Sequence, residues 1–144
     1  MNKAMTIGAL SRETGVKVPT IRYYEQVGLL PAAPRTQSDR RIYDAAAIKR
    51  LSFIRHAREL GFEVGTIRQL LDLSDQPHRS CAEVDAIATR HLEEIISRLR
   101  RLTALKEEVE RMISQCSQGK VAECRILDAL AHHEHCLHRD HGHE

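Results

Sequence analysis

Between Ser80 and Gln118 the chain runs without a glycine or a proline. Across that stretch Ala88, Leu92, Ile95, Leu99 and Leu102 step by four and three residues in turn, and Leu105, Val109 and Met112 or Ile113 continue the series. This alternation is the apolar seam of a coiled coil. Ser80 followed by Glu83 reads as a capping box that opens the helix. At 1.5 Å per residue, a seam of about 30 residues is roughly 50 Å long. Such a helix needs a partner for its stripe, and the rest of this 144-residue chain supplies too few helices to be one. The expectation is a homodimer.

The residues before the seam are organised on a shorter scale. Thr6 is placed to cap a helix carrying Ile7 and Leu10, and Gly15 then turns the chain. A second helix starts near Pro19, puts Ile21 and Tyr24 on one face, and stops at Gly28 ahead of Pro31 and Pro34. Helix, tight turn and helix within about 20 residues match the size of a helix-turn-helix. Residues 35–43 alternate basic and β-prone positions around a polar centre, as a short hairpin does. Two more helices follow. One spans Ala45–Leu60, with Ile48, Leu51, Ile54 or Phe53, Ala57 and Leu60 at helical spacing, and Gly61 ends it. The other spans Glu63–Leu73.

Charge divides the chain in the same place. Residues 1–79 hold 13 Lys and Arg against 8 Asp and Glu, or +5, while residues 80–144 hold 9 against 12, or −3. A basic first half suits a polyanion, since each phosphate neutralised releases counterions. No apolar run approaches the roughly 20 residues that span a bilayer, and the N-terminus has no signal pattern. A cytoplasmic location with no membrane partner is expected. The cysteines lack a base and an orienting group around them, no glycine loop cradles a phosphate, and no carboxylate pair stands out, so the chain reads as a non-enzyme.

The run Thr20-Ile21-Arg22-Tyr23-Tyr24-Glu25, then Gly28-Leu29-Leu30, Arg41-Ile42-Tyr43 and the segment Phe53–Phe62, resembles the MerR family of bacterial regulators over about residues 5–130. The resemblance implies a mainly α fold. A winged helix-turn-helix domain would occupy residues 1–75, and a linker with an antiparallel coiled-coil dimerisation helix residues 76–115. A metal-binding loop with a short helix would fill residues 116–131, and a His-rich tail residues 132–144. It implies a homodimer bound to double-stranded promoter DNA, which it bends and untwists for RNA polymerase. Such control works as much through deformation of the duplex as through base contacts. By position, Thr20 and Arg22 would meet the duplex from the recognition helix, and Tyr23 and Tyr24 would combine packing with a phosphate contact. Arg41 and Tyr43 would anchor the wing to the DNA backbone. Asp39-Arg40 stands where the family usually has Gly or Asn and an aromatic. Arg40 would add a phosphate contact, and the turn there needs another way to hold its shape.

All four cysteines, Cys81, Cys116, Cys124 and Cys136, lie in the second half, and six of nine histidines fall in the last 13 residues. In a reducing compartment they read as metal ligands rather than disulfides. Cys116 and Cys124 have seven residues between them, enough loop to fold two thiolates onto one ion. Cys81 precedes Cys116 by 35 residues, about 52 Å along one straight helix. Within one chain it cannot join them. In the antiparallel dimer that the resemblance implies, Cys81 of one subunit meets Cys116 and Cys124 of the other. A first-turn position also sets Cys81 at the positive end of a helix dipole, which favours an anionic ligand.

Family members sensing Cu(I), Ag(I) or Au(I) usually have Ser where this chain has Cys81, so the resemblance points to the divalent branch. Three soft thiolates suit Cd(II) or Pb(II), ahead of Zn(II), which wants a fourth ligand, or Hg(II). Ser117 stands where zinc sensors of the family tend to have a second adjacent Cys. The tail residues His132, His133, His135, Cys136 and His138 form a candidate second metal site. The reading is a regulator that activates a heavy-metal efflux or resistance promoter. The competing readings are a Cu(I)- or Ag(I)-responsive regulator, a drug-responsive one, and a metal-buffering protein that ignores DNA.

Overall fold

The computed structural model describes residues 5–115 and 119–132. They are mainly helical: α1 (Ile7–Thr14), α2 (Val18–Gln26), α3 (Ala45–Glu59), α4 (Val64–Ser74), α5 (Ala82–Ser114) and α6 (Arg125–Ala131), with one 3-10 turn at Val121–Glu123. Extended backbone pairs only at two isolated antiparallel bridges among the described residues, Met5 with Tyr43 and Arg35 with Arg41. No helix among them is long and apolar enough to cross a membrane. The chain divides into two compact units within α5, between Ile87 and Ala88.

In the first unit each helix begins and ends where local chemistry requires. The Thr6 side chain accepts from Ala9 N at 3.2 Å, and that of Asp44 from Ala47 N at 3.0 Å, satisfying N–H groups that the first turns of α1 and α3 leave over. Gly15 ends α1 in the left-handed region, at φ 74°, and its N–H closes the helix onto Ser11 O at 2.8 Å. The core gathers Leu10, Ile21, Leu29, Leu30, Leu51, Ile54 and Ile67, all essentially removed from water, around the rings of Tyr24 and Tyr43. Each such side chain contributes about 2 kcal/mol of burial. Of the pair Phe53 or Ile54, Ile54 faces this core. Leu60, expected on the inner face, is 67% exposed, because the helix gives way to its C-cap there.

A core this small is braced by arginines. Arg55 donates to Thr14 O at the end of α1, and Arg68 to Val27 O at the end of α2. Arg50 Nε donates to Leu29 O at 2.7 Å and its Nη1 stands 3.6 Å from Asp75. The last carbonyls of a helix have no partner within it and carry its negative pole, so guanidinium groups from α3 and α4 satisfy both the bond and the charge.

The long helix forms as expected, with different details at its ends. Ser80 Oγ accepts from Ala82 N at 3.2 Å, while Glu83 pairs with Arg79 instead of closing a capping box. The helix ends at Ser114. Within the second unit Glu108, Met112 and Ala129 are buried, while Leu92, Leu99, Leu102, Val109 and Ile113 are each more than half exposed.

Replacing Gly15 with Ala tests the arginine brace. A Cβ there would lie 2.5 Å from Arg55 Nη1, in a backbone conformation that L residues rarely adopt. Gly15→Ala is expected to cost about 1–3 kcal/mol in a urea unfolding titration. An unchanged midpoint would show that Arg55 yields without loss.

Candidate nucleic-acid interface and metal ligands

The helix-turn-helix presents its second helix by a simple division. Ile21 and Tyr24 turn inward, and Arg22 and Tyr23 turn out, with Tyr23 47% exposed. The two tyrosine rings lie 5.9 Å apart and tilted by 50°. The Lys17 side chain does not cap α2, so its first N–H groups have no side-chain partner from that position. Lys17, Thr20, Tyr24, Arg55 and Arg58 line an open concavity of about 370 Å³ beside that helix start. Two of its arginines have structural duties: Arg55 also holds Glu59 at 3.1 Å, and Arg58 Nη1 donates to Phe62 O at 2.8 Å.

The wing is a small hairpin. Ile42 N donates to Pro34 O at 3.0 Å and Thr36 N to Arg40 O at 2.7 Å. At the tip Asp39 N closes a turn onto Thr36 O at 2.9 Å, and Asp39 itself sits at φ 64°. A tight turn followed by a left-handed residue is a common hairpin loop. Asp tolerates that conformation better than most side chains, and Arg35 Nη1 fixes it with a 2.8 Å ion pair to Asp39. The position that the family usually gives to Gly or Asn therefore keeps its left-handed geometry here. Arg40 is exposed, with no ion pair among the described residues.

Tyr43 was expected to anchor the wing to DNA, and the structure places its side chain in the core of the first unit. Its ring is 2% exposed, its backbone pairs with Met5 in both directions at 2.8 Å, and its hydroxyl donates to Glu25 Oε1. Tyr24, 7% exposed, likewise serves the core with its ring. Arg41 Nη1 reaches Glu25 Oε2 at 2.9 Å and keeps part of its side chain in solvent. Glu25 and Lys17 were given no role by sequence reasoning. Glu25 did leave a signal: it stands one turn after the buried Ile21, on a face where a carboxylate requires partners.

The metal residues are described in part. Cys81 is exposed, and its carbonyl accepts from Asp85 N at 2.9 Å, which makes Cys81 the residue that opens α5. Cys124 is half-buried and caps α6, its carbonyl accepting from Asp128 N at 3.1 Å. Cys116, expected as their third partner, lies outside the described residues. So do His133, His135, Cys136 and His138 of the candidate tail site. His132 is exposed, with Nδ1 3.3 Å from Asp128 Oδ1. Among the described residues no group of three or more His, Cys, Asp or Glu gathers to hold an ion.

Comparison with known proteins agrees with this geometry. Residues 5–74 match a family model described as MerR HTH family regulatory protein, and residues 48–112 match one described as MerR, DNA binding. The chain is 35% identical over 127 residues to the HTH-type transcriptional regulator ZntR of Escherichia coli (strain K12), covering 86% of this chain and 90% of that protein. It is 37% identical over 128 residues to heavy metal-dependent transcription regulator 1 of Rhizobium meliloti (strain 1021), covering 88% and 87%. Among solved structures, the transcription regulator PbrR691 from Ralstonia metallidurans CH34 in complex with lead(II) superposes with a TM-score of 0.78 at 36% identity, covering 88% of this chain and 98% of that one.

The buried hydroxyl makes a testable prediction. Burial first, and the Glu25 carboxylate second, push the Tyr43 hydroxyl up from 10.0 to about 12. Its folded value lies above the unfolded one, so its contribution to stability is complete below pH 10 and is lost as pH rises from 10 towards 12. Tyrosinate absorbance should therefore show a late ionisation step from Tyr43, and Tyr43→Phe should remove that step. If Tyr43→Phe leaves the late step in place, the assignment is wrong.

Proposed function

From its membership of the MerR family of DNA-binding regulatory proteins, to which this chain belongs, we propose a homodimer that controls a metal-resistance promoter through an inter-subunit metal site. The observation that carries the reading is the symmetry of the uncovered stripe on α5. With a second copy laid antiparallel, Leu99 faces Leu102, Leu92 faces Val109 and Ala88 faces Ile113. The residue numbers of these three pairs add to the same total, so one register satisfies them together. Every large member of these pairs is exposed in the single chain. Covering a Leu or Ile contributes roughly 1.5–3 kcal/mol, and six such pairings per dimer favour association.

That register has a consequence for the cysteines. Cys81 stands at the start of one α5, which an antiparallel pairing lays beside the end of the other, and Cys116 and Cys124 follow that end in sequence. Three thiolates from two subunits then meet at each end of the coiled coil. Thiolate sulfur favours soft ions, and a three-sulfur set suits Cd(II) or Pb(II) better than Zn(II), which takes four ligands. Hg(II) is a further candidate. Similarity to a lead(II)-bound regulator and to a heavy metal-dependent one supports a divalent ion.

The DNA side follows from the first unit. Arg22 and Tyr23 on α2, with Thr20 beside them, meet the duplex, and Arg40 and Arg41 on the wing hold its phosphates. Such contacts position more than they specify. Metal binding at both ends of the coil re-aims the two heads, and the promoter is bent and untwisted so that RNA polymerase can use it. Sequence-dependent stiffness of the spacer then decides how well the site responds. The ion acts by binding one conformation more tightly than the other. Such a protein works in the cytoplasm.

An anaerobic titration of the reduced protein with Cd(II), Pb(II), Zn(II), Hg(II) and Cu(I), read by thiolate-to-metal absorption, tests this. Loss of a second-sphere partner costs roughly 10–100-fold in affinity, so Cys81→Ser should cost more than about 100-fold for the divalent ions. Tightest binding of Cu(I), indifferent to Cys81→Ser, would mean a monovalent-ion regulator in which Cys81 has no ligand role.

A further inference from the structure

Arg22 and Tyr23 of the recognition helix turn outward, but Glu25, at the end of the same helix, does not. Its side chain is 6% exposed. A carboxylate so far from water is costly unless donors replace the lost hydration. Two do, one per oxygen: Arg41 Nη1 at 2.9 Å on Oε2 and the Tyr43 hydroxyl on Oε1. Both come from the same short segment, the returning arm of the wing. Two donors on two separate oxygens fix a direction as well as a distance. The wing is also tied to the body by the Met5–Tyr43 backbone pair and by the buried ring of Tyr43.

Arg41 connects the inner and outer sides of this arrangement. One nitrogen is spent on Glu25, yet the side chain remains 38% exposed, and a guanidinium has five N–H donors in a rigid plane. Its remaining donors can meet a phosphate while Glu25 holds the plane still. Arg40, next to it, is exposed and has no ion pair among the described residues. Without Glu25 the wing would keep both positive charges and lose their placement.

We propose that Glu25 is a positioning residue for DNA binding, which holds Arg41 and Tyr43 so that the wing and the recognition helix engage one duplex together. This rests on the DNA-binding reading above. It has an outcome opposite to simple electrostatics. Removing a negative charge near DNA should tighten binding to any duplex. Removing a positioning group should weaken binding to the right duplex alone.

The experiment uses a duplex selected by the wild-type dimer from a random-sequence library, and a scrambled duplex of equal length. Glu25→Gln, Glu25→Ala and Tyr43→Phe are compared by affinity for both duplexes and by hydroxyl-radical footprint, with Arg40→Ala/Arg41→Ala marking the wing's protections. Glu25→Gln and Tyr43→Phe should each lower the ratio of specific to scrambled affinity about tenfold, the size of one lost charge-assisted hydrogen bond. Glu25→Ala should lower it further. The wing's protections should fade while those of the recognition helix persist, and scrambled binding should hold or tighten. An unchanged ratio and footprint in all three variants overturns the proposal. So does uniform loss of every protection in Glu25→Ala with Tyr43→Phe behaving as wild type, which would make the carboxylate a fold residue only. If the wild type selects no duplex, the DNA-binding reading itself fails, an outcome distinct from these.

Discussion

An apolar stripe about 50 Å long that its own chain leaves uncovered governs this molecule. Leu92, Leu99, Leu102 and Val109 lie open along one helix, and water makes that arrangement costly for a lone chain. The symmetry of the stripe about its midpoint means that a second copy running the other way covers it without any change of sequence. The dimer proposed above, with the two DNA-binding heads it brings together, answers that one packing requirement.

The first unit solves a different problem. It must hold a recognition helix and a wing in fixed relation with a core of about a dozen side chains. Arginines do much of this by reaching from α3 and α4 to the carbonyl ends of α1 and α2. The same residue type therefore has two tasks in a basic domain. Arg50, Arg55, Arg58 and Arg68 close the fold, while Arg22 and Arg40 are exposed at the surface with no ion pair among the described residues. Arg41 does both through Glu25. A net positive charge read from composition cannot separate these groups, and only the bonded geometry distinguishes a guanidinium available to phosphate from one already committed.

Much of the fold was legible because it is set locally. Thr6, Gly15, Gly28 and Gly61 each mark an end through their own conformational preference, and the periodicity of Leu51, Ile54 and Ile67 places the core. The departures came from side-chain partners that periodicity and turn preferences do not reveal. Tyr43 carries a hydroxyl and looked outward-facing until Glu25, 18 residues away, was seen to accept from it. Glu83 matched a capping box but found Arg79 first. Asp39 looked like a defect in the wing, yet Arg35 four residues earlier holds it in the required conformation. The proposed metal site was the least legible of all, because Cys81 and Cys124 gather no third ligand among the described residues of one chain.

The account stands or falls on ligands shared between two subunits, and mixed dimers test this directly. A Cys81→Ser chain and a Cys116→Ser/Cys124→Ser chain should each fail to bind Cd(II) tightly at this site as homodimers. Combined, they should recover one tight site per heterodimer, built from Cys81 of the second chain and Cys116 and Cys124 of the first. Recovery of that single site is the expected result. If the mixture, shown to contain heterodimers, binds no better than its parts, the ligands do not come from opposite subunits and the antiparallel register is wrong.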